Sequence, residues 1–182
     1  MFSLILGEGL AVTLLGSLLH FTYEWSGRKK WVGIFSATNE STWEHIKLAL
    51  SGLFACTLVD VWFLGDNPHY WLARGASFLV PIVVIPAIFY TYQRWTHRPV
   101  LWVDIMTFAV AAFLSAAVFA GVLALPELGV SWNYLGMGLS VAMLAAYLLL
   151  TRFPLHNFLF RDPNTHRYGF DGRGRPQRTP PG

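Results

Sequence analysis

Charged side chains are scarce in this sequence. Asp, Glu, Lys and Arg make up 13% of its 182 residues and hydrophobic residues 54%, whereas soluble domains carry about 25% charged residues. This composition excludes an ordinary soluble domain and indicates an integral membrane protein, whose outer surface faces lipid rather than water. The net charge of +3 has a membrane explanation, given below, so we expect the lipid bilayer as partner and no nucleic acid.

Cysteine and the common catalytic motifs are nearly absent. The single cysteine, Cys56, lies in an apolar run, so no disulfide can form within the chain. The sequence contains no phosphate-binding loop, dinucleotide fingerprint or Gly-x-Ser-x-Gly nucleophile elbow. The first residues carry no basic leader and no small-residue cleavage site before His20, which favours a retained transmembrane helix over a signal peptide.

Long apolar runs fill most of the chain and predict five transmembrane helices. Each run has the roughly 20 residues that a helix needs to cross ~30 Å of hydrocarbon. The runs cover residues 4–23, 41–64, 70–92, 100–123 and 132–151. We therefore predict an all-α polytopic membrane protein with a five-helix bundle in residues 1–151.

Residues 152–182 form a polar tail in this interpretation. Its first part mixes aromatic and basic residues from Phe153 to Phe160, which predicts a segment lying on the cytoplasmic membrane surface. Its last part, residues 172–182, is rich in Gly, Pro and Arg and is expected to be disordered or to bind a protein partner.

The basic residues predict the orientation of the bundle. Of the 13 Lys and Arg residues, all except Arg74 lie on the side of the loops that follow the first, third and fifth helices. Basic residues near membrane spans favour the cytoplasmic side. The sequence thus predicts an external N-terminus and a cytoplasmic C-terminus, in a multi-pass protein of a bacterial inner membrane.

Small residues and prolines predict features of helix packing. Small residues recur at four-residue spacing on one face of two predicted helices, which lets backbones approach closely in lipid. They are Ala112, Ala116 and Ala120 in the fourth helix and Gly138, Ala142 and Ala146 in the fifth. We therefore expect these two helices to pack together. Pro81 and Pro86 are expected to interrupt the third helix, because proline has no N–H to donate.

The densest polar stretch of the predicted bundle opens the second helix, at residues 38–47. Ser41 and Glu44 have the spacing of a capping box, with Asn39 as a competing cap. A Glu44–Lys47 ion pair is also compatible with the helical spacing, although such pairs are common on surfaces and carry little functional information. Capping leaves the neighbouring Glu40, Trp43 and His45 unexplained.

A second group of polar residues ends the first helix. His20 and Glu24 are four residues apart, so both project from one helix face. The loop between the first two helices brings them to the same membrane depth as Glu44 and His45. Together with Glu40, this predicts a cytoplasmic-facing ligand site, with interfacial hydrogen bonding as the structural alternative. Imidazoles and carboxylates suit a divalent metal, a proton relay or another cation.

Asp60 is a further candidate because it lies inside the second helix, one to two turns before its outer end. A carboxylate is costly at the bilayer centre and less so near the interface. We expect Asp60 either to reach the interface or to pair with Arg74.

The residues around the first loop resemble a known family. The resemblance rests on His20-Phe21-x-Tyr23-Glu24-Trp25-Ser26-Gly27, Val32-Gly33-x-Phe35-Ser36, Asn39-Glu40-Ser41-x-Trp43-Glu44-His45-x-Lys47 and, near the end, Phe160-Arg161-Asp162-Pro163 with Tyr168-Gly169. This pattern is similar to that of small bacterial integral membrane proteins classed as a domain of unknown function. The resemblance implies a fold and a class, and no activity.

Two classes of function fit the sequence. The first is a non-enzymatic membrane protein that handles a small solute or ion, or serves as an accessory subunit of a membrane complex. The alternative is a metal-dependent enzyme embedded in the membrane, with His20, Glu24, Glu44 and His45 at its centre. Only the alternative requires a metal cofactor.

Overall fold

The computed structural model describes residues 1–171 and confirms the five predicted helices. Each helix is long and apolar enough to cross a membrane by length and composition. The helices are α1 (Phe2–Trp25), α2 (Thr42–Leu64), α3 (Tyr70–Thr96), α4 (Leu101–Leu123) and α5 (Val130–Arg152). Short 3-10 turns lie at Val32–Ile34 and Gly169–Asp171, and no β-strand occurs within the described residues. The predicted tail at residues 172–182 lies outside them.

Four helices form the bundle and the fifth packs on its outside. α1 contacts α2 and α4, and α3 contacts the same two helices, so the four close into a ring. α5 packs against α3. The interior of the ring is apolar and includes Val12, Ile46, Leu50 and Leu53, each of which has no exposed surface. This apolar core separates the two ends of the bundle.

The two ends differ in construction. One end carries residues 26–41, which join α1 to α2, and residues 153–171, which follow α5; we call it the loop end. The opposite end carries the short connections 65–69 and 124–129; we call it the turn end. α1 starts at the turn end, so Glu8 and Asp60 lie near that end, and His20 and Glu44 lie near the loop end.

The expected packing of α4 on α5 is wrong. Both helices pack on α3, and among residues 1–171 they form no substantial interface with each other. Ala112, Ala116 and Ala120 are buried as predicted, but α4 packs on α1 and α3. The small residue that brings α5 close to its neighbour is Gly136, where an added Cβ would lie 2.2 Å from the Leu72 Cα.

The two prolines do not interrupt α3, contrary to expectation. The helix runs without a break for 27 residues and contains both Pro81 and Pro86. Each proline removes one backbone donor, while the neighbouring turns keep theirs. Packing of α3 against α2, α4 and α5 holds the helix through this region.

Candidate functional site

A buried ion pair, Glu44–Lys47, lies at the loop end. Lys47 Nζ is 2.7 Å from Glu44 Oε2, and the side chains are 0% and 3% exposed. The ammonium also donates to the Gly33 carbonyl oxygen at 2.9 Å, and Glu44 Oε2 accepts the Thr38 N–H at 2.6 Å. One cation thus meets one anion, and both also bind the backbone of the α1–α2 loop. This pair fixes the loop on the start of α2.

Ser41 and Glu44 do not form the predicted capping box. Ser41 has the extended backbone of an N-cap residue, but its side chain makes no capping hydrogen bond. The Glu44 carboxylate binds Thr38 and Lys47 instead. The buried Lys47 ammonium pairs with the Glu44 carboxylate, and this carboxylate is the group that a capping box would direct to the backbone of Ser41. Asn39 Oδ1 accepts the Ser41 N–H at 2.8 Å, so the asparagine organises this turn.

The segment after α5 closes over the start of α2. The backbone N–H of Trp43 donates to the Leu159 carbonyl oxygen at 2.9 Å. The Trp43 indole stacks on the Phe160 ring, with ring centroids 4.8 Å apart. Asn39 Nδ2 donates to the Gly169 carbonyl oxygen at 2.9 Å. Phe160 is therefore buried in the fold, which corrects the expectation that every apolar residue of this segment lies on the membrane surface. Its position depends on Trp43, a partner distant in sequence.

His20 and His45 lie close together at the loop end. Their ring centroids are 5.8 Å apart, and His20 Nε2 lies 3.9 Å from Glu40 Oε2. His45 Nδ1 is 3.0 Å from the Ser41 carbonyl oxygen, so this nitrogen carries a hydrogen in that contact. Two imidazoles and one carboxylate thus gather at the partly exposed mouth of the bundle.

The other predicted members of this site have different partners. The Glu24 carboxylate lies 3.1 Å from Arg28 Nε on the protein surface, and Glu44 is held by Lys47. Within residues 1–171, no group of three or more His, Cys, Asp or Glu side chains is arranged to hold a metal ion. The predicted set therefore divides into a histidine pair with Glu40 and two separate ion pairs.

A second buried charge cluster lies near the turn end and joins three helices. Arg74 of α3 donates through Nη1 to Glu8 Oε1 of α1 at 2.6 Å and through Nη2 to Asp60 Oδ2 of α2. The Tyr70 hydroxyl donates to Asp60 Oδ1. The guanidinium also lies 3.7 Å from the ring centroid of Phe119 on α4. This arrangement confirms the expected pairing of Asp60 with Arg74.

The cluster around Arg74 is not balanced. Two carboxylates face one guanidinium, which leaves one formal negative charge over, and Arg74 and Glu8 are 0% and 6% exposed. Glu8 Oε2 and Arg74 Nε are both buried and have no hydrogen-bond partner among the described residues. Buried carboxylate oxygens are rarely left without a partner, because losing water without a replacement costs free energy. The Glu8 carboxylate is therefore the least satisfied charged group of this cluster.

Glu8 was not predicted as a site residue, although the sequence contains a signal for it. It is the one charged residue in α1 before Glu24, and an ionisable residue within a membrane span is usually functional or paired. Its partners come from α2 and α3, so its role depends on how three helices are rotated about their axes. Local sequence patterns do not specify that rotation.

Comparisons with known proteins place the chain in a family without giving it an activity. Residues 5–170 match a family of unknown function, DUF6512, and the match spans nearly all the described residues. Neither the curated proteins nor the solved structures contain a significant match. The resemblance seen in the sequence was to a family of unknown function, and the matching family is also one of unknown function. The chain belongs to the family of unknown function DUF6512.

Proposed function

We propose that this protein is a non-enzymatic, ion-handling protein of the bacterial inner membrane that binds one monovalent cation, a proton or an alkali ion, at the carboxylates of Glu8 and Asp60, which also hold Arg74. The observation that carries the proposal is the buried Glu8 Oε2, which has no hydrogen-bond partner within residues 1–171, in a cluster with two carboxylates and one guanidinium. A proton or small cation at this oxygen supplies both the missing charge and the missing contact.

The location of the cluster favours binding from the turn end. Asp60 lies four residues before the end of α2 and Arg74 four residues after the start of α3, which is about 6 Å along a helix. The Asp60 side chain is 15% exposed, so an ion can reach it from that side. Towards the loop end, Val12, Leu50 and Leu53 close the core. The structure supports a site open to one end of the bundle.

We infer that the turn end is external, because the basic residues favour a cytoplasmic loop end. In a Cys56→Ala background, a cysteine at Asn67 should react with an impermeant thiol reagent applied from the outside. A cysteine at Arg175 should react only after the membrane is permeabilised. The opposite labelling pattern would reverse the orientation.

The loop end holds a second group that fits ion handling. His20, His45 and Glu40 are partly exposed and close together, and imidazole and carboxylate groups suit a cation or a proton relay. The enzyme alternative needs a metal held by His20, Glu24, Glu44 and His45, and their separate partners give it no support.

The test measures how stability depends on the ion. Purified protein in nanodiscs is unfolded by heat over a series of pH values, in sodium chloride and in a chloride salt of a bulky organic cation. By linkage, a bound ion stabilises the folded protein in proportion to its concentration. If the ion is a proton, the free energy of unfolding should fall as pH rises, by at most about 1.4 kcal/mol per pH unit for one site. If it is sodium, stability should rise with sodium at constant pH.

Glu8→Gln is the decisive variant, and Glu24→Gln is its matched control. Both change one α1 glutamate to its neutral isostere, but Glu24 lies on the surface beside Arg28. Glu8→Gln should abolish the ion-dependent part of the stability, while Glu24→Gln should retain it. An ion dependence that is the same in Glu8→Gln as in the unchanged protein would overturn the proposal.

A further inference from the structure

A basic groove lies beside the last turn of α5 and has no role in the site described above. Its volume is about 720 Å³. It is lined by Arg152, Phe153, Pro154, His156, His166, Arg167 and Tyr168. Among the residues that the structure describes, the lining includes two arginines and two histidines and no carboxylate, so the groove offers several donors and positive charge to an anion.

The arginines of this groove are available for a ligand. Neither Arg152 nor Arg167 makes an ion pair with a carboxylate in the described part of the chain, and both are exposed. The Arg152 guanidinium lies over the Phe153 ring at 5.1 Å. Paired guanidinium groups are well suited to phosphate oxygens, which they can bind through two parallel hydrogen bonds.

The groove wall is fixed by the backbone. Asp162 Oδ1 accepts the N–H groups of Asn164 and Thr165 at 2.7 and 2.9 Å, and the Asp162 N–H donates to the Arg167 carbonyl oxygen at 2.9 Å. The rings of His156 and Tyr168 pack edge to face with centroids 4.6 Å apart. These contacts fix the backbone turn that carries His166 and Arg167 beside the end of α5, so the backbone needs little ordering when an anion binds.

The surroundings of the groove indicate where the anion comes from. Phe153, Leu155 and Phe158 are 64%, 51% and 71% exposed, and exposed aromatic and aliphatic side chains at the end of a span lie at the membrane interface. Leu148 and Leu149, on the last turns of α5, are also exposed. A phosphate in the groove would therefore sit at headgroup level, above a helix surface that accepts acyl chains.

We propose that the groove between Arg152 and Arg167 binds the phosphate group of an anionic phospholipid, with the acyl chains along α5. Basic pockets beside transmembrane helices are suited to such headgroups. The site is independent of the ion site at Glu8, which lies at the other end of the bundle.

The test titrates the protein, in neutral detergent, with a short-chain phosphatidylglycerol and follows binding by calorimetry. Phosphatidylcholine with the same chains and inorganic phosphate are titrated separately. Phosphatidylglycerol should bind, phosphatidylcholine should bind more weakly, and inorganic phosphate should not bind in the same concentration range. Inorganic phosphate binding as tightly as the lipid would show a free-phosphate site and overturn the lipid assignment.

The variants separate the groove from general surface charge. Arg152→Gln with Arg167→Gln should weaken phosphatidylglycerol binding by more than about tenfold for each arginine, because each loses a charged hydrogen bond. Arg94→Gln with Arg98→Gln is the matched control, since these exposed residues lie at the same end outside the groove. The control should bind nearly as well as the unchanged protein, and an equal loss in both would overturn the proposal. If the double variant does not fold, the single change Arg167→Gln replaces it, with the same expected and contrary results.

Discussion

The two buried charge clusters of this protein are built on opposite principles. At the loop end, Lys47 faces one carboxylate, and the pair also binds the Gly33 carbonyl and the Thr38 N–H. At the turn end, Arg74 faces two carboxylates, and one oxygen of Glu8 has no partner in the described part of the chain. A balanced pair that also binds the backbone fits a structural role, whereas the unbalanced cluster is the one that the proposed ion would neutralise. The difference separates the structural residues from the candidate ligands.

Removing Arg74 should have the largest effect. Arg74→Met leaves Glu8 and Asp60 facing each other without a cation, so the free energy of unfolding should fall by at least about 3–5 kcal/mol. Chemical unfolding in detergent, followed by tryptophan fluorescence, measures the change. Arg94→Met removes an exposed arginine of the same helix and should be nearly neutral. Equal stability of the two variants would contradict the description of Arg74 as the centre of the cluster.

Neutralising Glu44 should lower the free energy of unfolding almost as much as removing Arg74, because it leaves a buried charge of the loop-end pair without its partner. Glu44→Gln leaves the buried Lys47 ammonium without its anion, and we expect a loss of about 3–5 kcal/mol. The double change Glu44→Gln with Lys47→Met should recover part of this loss. A double-mutant cycle with a coupling below about 0.5 kcal/mol would show that the pair does not act as a unit.

The contact between α3 and α5 should matter because it positions the first turns of α3, which carry Arg74. In Gly136→Ala the new Cβ would meet the Leu72 backbone at 2.2 Å, and forcing the helices apart should cost about 1–3 kcal/mol. Gly138→Ala is the control, since its Cβ would meet no atom within 4 Å. Displacement of α3 should also weaken the dependence of stability on the ion, because α3 carries Arg74. Equal stability of the two alanine variants would contradict the close approach at Gly136.

Neutralising Glu8 should have a small effect, in contrast to Glu44. Glu8→Gln leaves Arg74 paired with Asp60, so the remaining charges balance, and stability without the ion should change by less than about 1 kcal/mol. The comparison is made under conditions in which the unchanged protein has no bound ion. A loss as large as that of Glu44→Gln would show that both clusters are structural.

The smallest effect is expected at Ser41. Its side chain makes no capping hydrogen bond, so Ser41→Ala should change the free energy of unfolding by less than about 0.5 kcal/mol. Asn39→Ala should cost more, about 1–3 kcal/mol, because it leaves the Ser41 N–H and the Gly169 carbonyl without partners. The thermal unfolding assay described for the ion site compares the stabilities of the two variants. A larger loss for Ser41→Ala than for Asn39→Ala would restore the capping interpretation.

The sequence predicted the parts of the fold that depend on neighbouring residues. The apolar runs predicted five helices. The predicted end of α2 at Leu64 is the end that the structure shows. Asp60 and Arg74 lie on helices joined by a short turn, which brings the end of α2 next to the start of α3. Their pairing could be predicted because the chain itself places them together.

Contacts between distant parts of the chain were less predictable. The alanine face of α4 is evident in the sequence, but a small-residue face fits several neighbours, so its spacing does not distinguish α5 from α1 and α3. Glu44 was expected to cap because its local spacing fits, while burial of Lys47 depends on the loop folded over it. The convergence of His20 and His45 was predicted from a common membrane depth, and the separate partners of Glu24 and Glu44 were not.

The closure of the loop end by the last part of the chain has a consequence for biosynthesis. Asn39 and its acceptor Gly169 are separated by 130 residues, which a ribosome adds in roughly 6 to 26 seconds at ~5–20 residues per second. The Leu159 carbonyl that Trp43 binds is added shortly before Gly169. The loop end is therefore completed only after all five helices have been synthesised. A nascent chain that stalls after α4 therefore lacks the contacts that cover Asn39 and Trp43.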